Sequence, residues 1–257
     1  MELISPAQFA KRGVLAVQDY SLLAAQSLAN VARRPRYLPD IIQQADLIGF
    51  GSLPIVLLTG FFTGIVLALN YSPSLERFGA LSITGQLVSL SMIRELGPVL
   101  TSLMVAGRNA SGMASELGSM KVTEQIDAMR ALGTDPMKKL VTPRVVATVV
   151  MLFFLTILSD LVGLIGGWIY SITKIGLDTY QYWNTAYQAL NYNDVITGLV
   201  KPIFFGFIVS TVGCYYGMTT TGGTQGVGRS TTQAVVTASV LILAVDVLLA
   251  QFLLLFR

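Results

Sequence analysis

Five apolar runs constrain this chain more than any motif does: residues 48–70, 80–107, 145–173, 195–218 and 231–256. A helix of about 20 apolar residues crosses the hydrocarbon core of a bilayer, and in lipid each backbone polar group must find its partner within the segment. The expected fold is therefore an all-α integral membrane protein with five transmembrane helices. Composition agrees, with 53% hydrophobic residues, 12% charged and a mean hydropathy of +0.65. A soluble domain carries about a quarter charged residues.

The polar segments set the orientation. Segments 1–47, 108–144 and 219–230 hold twelve of the basic residues, whereas 71–79, 174–194 and the C-terminus hold three. Short loops rich in Lys and Arg stay in the cytoplasm, so the N-terminus is expected inside and the C-terminus outside. The net charge of +3 belongs to these flanks and forms no binding patch, so no nucleic-acid partner is expected. The chain has no histidine and a single cysteine, Cys214, inside an apolar run. Disulfide frameworks, Cys/His zinc sites and His-based acid–base catalysis are excluded. No cofactor, metal or catalytic residue is expected, and Cys214 reads as a packing residue.

Two domains are expected. Residues 1–47 form an N-terminal interfacial helix with an elbow around Pro39–Asp46, and residues 48–257 form the transmembrane domain. The first helix is capped by Ser5 with Pro6 in its first turn. It gathers Phe9, Gly13, Val17, Tyr20, Ala24, Leu28 and Val31 on one face, while Leu15, Leu22 and Leu23 break the pattern. Lys11, Arg12 and Asp19 interrupt every apolar run, so this helix is neither a signal peptide nor a span. It reads as an interfacial helix on the inner leaflet, with Arg33, Arg34 and Arg36 among anionic headgroups, in preference to a soluble arm.

The spans carry features that need a physical reason. Gly60 and Gly64 have the spacing that lets another helix approach closely, or are glycines merely tolerated in a membrane helix. Arg94, Glu95, Asp160, Lys201 and Asp246 would each cost a few kcal/mol facing lipid, so each needs a partner or a wet cavity. Pro98 should bend the helix beside Arg94 and Glu95. Those two neighbours point about 100° apart and cannot pair with each other. Lys201 lies about six residues and Asp246 about ten residues below the outer ends of their spans at ~1.5 Å per residue, a gap that a lysine stem can bridge, which predicts an interacting pair. An intramembrane enzyme would have only Asp160 with Asp246 to work with. A structural scaffold would use the same charges as assembly contacts.

Segment 108–144 reads as a cytoplasmic loop holding a short helix over Thr123–Leu132, closed by Gly133. Val122, Ile126 and Met129 share one apolar side of it, which the bilayer or a partner protein must cover. Segment 174–194 is an outer amphipathic stretch rich in tyrosine and tryptophan. The sequence GGTQGVG at 222–228 turns the chain. It lacks the preceding strand and the Gly-Lys-Ser/Thr ending of a phosphate loop, so any ATP that drives this chain is hydrolysed by another polypeptide.

Four stretches carry a family resemblance: RELGP at 94–98, AGRNASGMASELGSMKVTEQIDAM at 106–129, ALGTDP at 131–136 and GGTQGVGRSTTQAVV at 222–236. Together they resemble the MlaE permease family, which includes the permeases of bacterial lipid-asymmetry transporters, a chloroplast relative and the YrbE proteins of actinobacterial Mce systems. The resemblance covers residues 40–256. It implies a bacterial inner-membrane permease that works as a homodimer, with two cytoplasmic ABC ATPase subunits and a periplasmic ring of MCE-domain protein. The substrate it implies is phospholipid or a related lipid held between the two permeases. By similarity, Arg94, Glu95, Lys201 and Asp246 would line or support that lipid site, with Phe78 at its outer mouth. The helix carrying Glu124, Ile126, Asp127 and Met129 would be the coupling helix that docks into the ATPase.

Overall fold

The computed structural model describes the backbone of residues 6–33, 35 and 37–255, with side chains from residue 13 onward except at 254. Among the described residues the fold is all helical, without a strand. The helices are α1 (Pro6–Val31), α2 (Leu38–Arg77), α3 (Leu81–Val122), α4 (Gln125–Ala131), α5 (Met137–Ile175), α6 (Thr179–Gln188), α7 (Tyr192–Met218) and α8 (Gly223–Leu254). Five of them, α2, α3, α5, α7 and α8, are long and apolar enough to cross a membrane. The bundle has one end marked by α4 and another marked by α6.

These helices outrun the apolar segments that reveal them. Helix α2 starts ten residues before the expected boundary at 47/48, so the elbow is part of the span rather than a separate piece. Helix α3 continues to Val122 and α5 begins at Met137. Segment 108–144 is therefore helical except at 123–124 and 132–135, and is not the loop expected. Hydropathy marks where hydrocarbon ends, whereas a helix persists while backbone bonds and one packed face continue. Met113, Ala114 and Leu117 supply that buried face beyond the apolar run. The glycine-rich stretch behaves similarly. Only Gly222 and Gly223 take positive φ, 90° and 66°, and α8 is helical from Gly223 on.

Helix α2 packs along α5, and the small residues explain how closely. A Cβ on Gly60 would meet the Ser159 carbonyl oxygen at 2.6 Å, and one on Gly64 would collide with the Gly163 carbonyl. The paired glycines thus serve an approach within this chain. Around that seam Val56, Val105, Leu152, Phe205 and Ala238 join five helices into one core. Cys214 is wholly buried in a neighbouring cluster, as a packing residue should be.

Helix α1 docks through a face that overlaps only in part the one its apolar pattern suggests, keeping Tyr20 and adding Leu23 and Ser27. The Tyr20 hydroxyl lies 3.0 Å from Thr211 Oγ1 and its ring meets Tyr215 edge-on at 5.8 Å. Leu23 and Ser27 are buried against the bundle, while Val17, Leu28 and Val31 stay exposed. Of the three leucines that break the sequence pattern, Leu23 joins Tyr20 as an anchor, while Leu15 and Leu22 stay exposed. Ser5, Arg34, Arg36 and the side chains at Phe9, Lys11 and Arg12 lie outside the described residues.

Candidate functional site

Three helices meet at a cluster of charges inside the bundle. Arg94 and Glu95 sit in a wide, π-type turn of α3 over Met92–Leu96, where Gly97 N–H reaches back to the Met92 carbonyl. That widening precedes Pro98, whose ring cannot fit against a regular preceding turn and which has no N–H to give. It also brings the Ile93 carbonyl onto Gly198 of α7, a contact that any larger residue at 198 would block. Asp194 and Lys201 stand on either side of Gly198 along α7, so the two α3 charges reach one partner each.

The partners are specific. Arg94 Nη2 pairs with Asp194 Oδ1 at 2.8 Å, while Asp194 Oδ2 accepts the Asn191 N–H at 3.1 Å and caps α7. Lys201 donates to Glu95 Oε2 and also lies 2.9 Å from Asp246 Oδ1 on α8. The Lys201 side chain is 0% exposed, that of Asp246 17% and that of Glu95 46%. The expected Lys201–Asp246 pair is present, and Glu95 joins it as a third member that depth along the spans did not indicate. Arg94 finds Asp194, a residue that sequence reasoning placed in the outer stretch. The usable signal was the Asn191-to-Asp194 capping spacing, which puts Asp194 on the first turn of a span.

Asp160 stands apart from the cluster. It is buried, with Oδ1 against Gly97 and no hydrogen bond to that atom among the described residues. Asp246 is held by Lys201 and Asp160 lies against α3, so the two carboxylates do not form the pair an enzyme would need. Phe78 is the residue after α2, at the α6 end, and is 84% exposed.

At the other end, α4 is a single well-formed element. Gly133 at φ 77° closes it, with Thr134 N–H reaching the Met129 carbonyl at 3.0 Å. Glu124 precedes it in the left-handed region at φ 60°. Ile126 is 0% exposed and packs with Leu117, Leu140 and Val141, with Met129 half-buried on the same cluster. The apolar side expected to need a partner or the bilayer is thus covered by the chain itself. Ile126 fastens α4 to α3 and α5, and the outward side shows Glu124, Asp127 and Leu132, the last 84% exposed. A hydrogen bond from Lys121, 2.8 Å away, holds the Asp127 carboxyl below its usual range, with Arg130 adding to it.

The sequence comparisons bear on what this arrangement serves. A profile described as "Permease MlaE" matches residues 41–252. The chain belongs to the MlaE permease family. It is similar to a probable ABC transporter permease protein of Rickettsia felis, with 44% identity over 235 residues that cover 91% of each chain. It is also 36% identical over 248 residues to the protein TRIGALACTOSYLDIACYLGLYCEROL 1, chloroplastic, of Arabidopsis thaliana, covering 96% of this chain and 70% of that one. The intermembrane phospholipid transport system permease protein MlaE of Haemophilus influenzae is 34% identical over 215 residues, 83% and 82% of the two chains. This MlaE-family chain is accordingly a multi-pass membrane subunit of an ABC transporter, a permease and not an enzyme. The match takes in both the charged cluster and α4, while α1 precedes it.

Proposed function

We propose that this permease moves phospholipid or a related lipid between the bacterial inner membrane and a periplasmic MCE-domain protein, as a homodimer driven by separate cytoplasmic ATPase subunits. The observation that carries the reading is the three-helix cluster. Lys201 is sealed between two carboxylates, and Glu95 remains half-exposed at membrane depth, where a charge facing only hydrocarbon is penalised. A polar headgroup passing that point relieves the penalty. Arg94 and Glu95 contact the headgroup, Lys201 and Asp246 hold Glu95 in place, and Phe78 stands at the outer mouth. The name of the Haemophilus influenzae relative, an intermembrane phospholipid transport system permease protein, supports phospholipid as the cargo.

Helix α4 is the coupling helix. Glu124, Asp127 and Leu132 meet the ATPase, Met129 edges that surface, and Ile126 transmits the push into α3 and α5. The N-terminus is cytoplasmic, the C-terminus periplasmic, and α1 rests on the inner leaflet. Reconstituting the permease with its ATPase and MCE partner, and following a fluorescent phospholipid into acceptor vesicles, tests the reading. ATP-dependent transfer that drops at least tenfold in Glu95→Ala is expected. A wild-type complex that hydrolyses ATP without moving phospholipid overturns it.

A further inference from the structure

Helices α1, α2 and α5 converge at the α4 end of the bundle on a cavity of about 430 Å³, lined by Val31, Pro35, Tyr37, Ile41, Lys138 and Val146 among others. Its walls are mostly apolar and it holds one cationic side chain. Four of the described cations at this end of the molecule are ion-paired within the chain. Lys139 pairs with Asp40 at 2.6 Å and lies over the Tyr37 ring, Arg144 pairs with Glu116 at 2.8 Å, and Lys121 and Arg130 share Asp127. Lys138 has no ion pair among the described residues.

Its position sharpens the point. Lys138 is in the first turn of α5, where the helix dipole already favours an anion and disfavours a second positive charge. Asp135 caps the Met137 N–H at 2.9 Å but makes no ion pair with Lys138. In sequence, Arg33, Arg34 and Arg36 flank the cavity residue Pro35. Beyond the cavity, Val150 and Phe154 follow Val146 at four-residue spacing on α5 and are both exposed. A cation without an ion pair, a cavity of headgroup size and an exposed apolar track leading away from it suit one kind of molecule.

We propose that this cavity binds an anionic phospholipid of the leaflet at the α4 end. Its phosphate sits against Lys138 and the first turn of α5, its acyl chains run along Val150 and Phe154, and it fastens α1 to the bundle. The site is separate from the Lys201 cluster and does not depend on lipid being the cargo.

The test uses the full chain in phosphatidylcholine nanodiscs doped with diazirine-tagged phosphatidylglycerol or phosphatidylethanolamine, with crosslinks mapped by mass spectrometry. Phosphatidylglycerol should label peptides 31–41 and 146–154 several-fold more than phosphatidylethanolamine does. Lys138→Gln should cut that preference by about fivefold, the loss expected for one surface cation. Equal labelling by the two lipids in the wild-type chain overturns the proposal without recourse to any variant. A preference that survives Lys138→Gln also overturns it, since general attraction to the arginine-rich segment would then explain the labelling.

Discussion

The same chemical device, a carboxylate against a cation, appears at two places in this permease with opposite consequences. At the α3–α7–α8 cluster Lys201 is fully enclosed and serves two carboxylates from different helices. At the α4 end Lys121, Asp127 and Arg130 form a short ladder whose members are all partly exposed. Water and salt screen the second set, leaving such pairs worth about 0–1 kcal/mol. The first set lies in low dielectric, where removing one partner strands a buried charge at about 3–5 kcal/mol. Geometry alone would rank the two alike, and burial separates them.

Lys201→Ala should be the most damaging change, because it leaves Glu95 and Asp246 facing each other without a cation. A loss of about 3–5 kcal/mol should appear as a large drop in melting temperature in nanodiscs and as lost transfer. Adding Asp246→Ala should recover part of it, so the double variant is less harmful than the sum of the two. Strictly additive losses would show that the two charges act separately.

Ile126 tests the assignment of inside and outside at α4. Ile126→Asp puts a charge into the Leu117–Leu140–Val141 cluster and should cost about 3 kcal/mol, seen as proteolysis at 123–136. Leu132→Asp, on the exposed side, should change stability by less than about 0.5 kcal/mol while lowering co-purification of the ATPase. Equal stability losses in the two would put Leu132 inside the fold as well.

Asp194→Asn sits between the extremes, since the Arg94 side chain is 26% exposed and can reach water. A loss of about 1–3 kcal/mol is expected by thermal unfolding, and salt should not mimic it. The smallest effect belongs to Asp127. Its folded-state carboxyl titrates below the ordinary value, so the stabilisation is present above about pH 4 and disappears as pH falls through the depressed value. A slight gain in α4 amide-exchange protection between acid and neutral pH, abolished by 1 M salt, would match. A protection change that persists in high salt would argue for burial at α4.

Much of this follows from particular residues in order along the chain. The five spans are legible because lipid demands long apolar helices, and Lys201 with Asp246 is legible because unpaired charges at that depth are penalised. Asp194 escaped because a residue at a span's end is as easily solvated as paired. Only the closeness of α3 to α7 at Gly198 decides that it holds Arg94. Ile126 was read correctly as apolar and wrongly as uncovered, since no local pattern reveals that Leu117 and Leu140 close over it.

The sequence by itself determined the solvent, the number of crossings and the family, because these depend on composition and local motifs read one residue after another. Tertiary structure alone decided which carboxylate meets which cation, which side of α1 and α4 is inside, and where α1, α2 and α5 leave a cavity. Those outcomes depend on distances between residues far apart in the chain. They are set where glycines let backbones touch and a widened turn before Pro98 redirects two neighbouring charges.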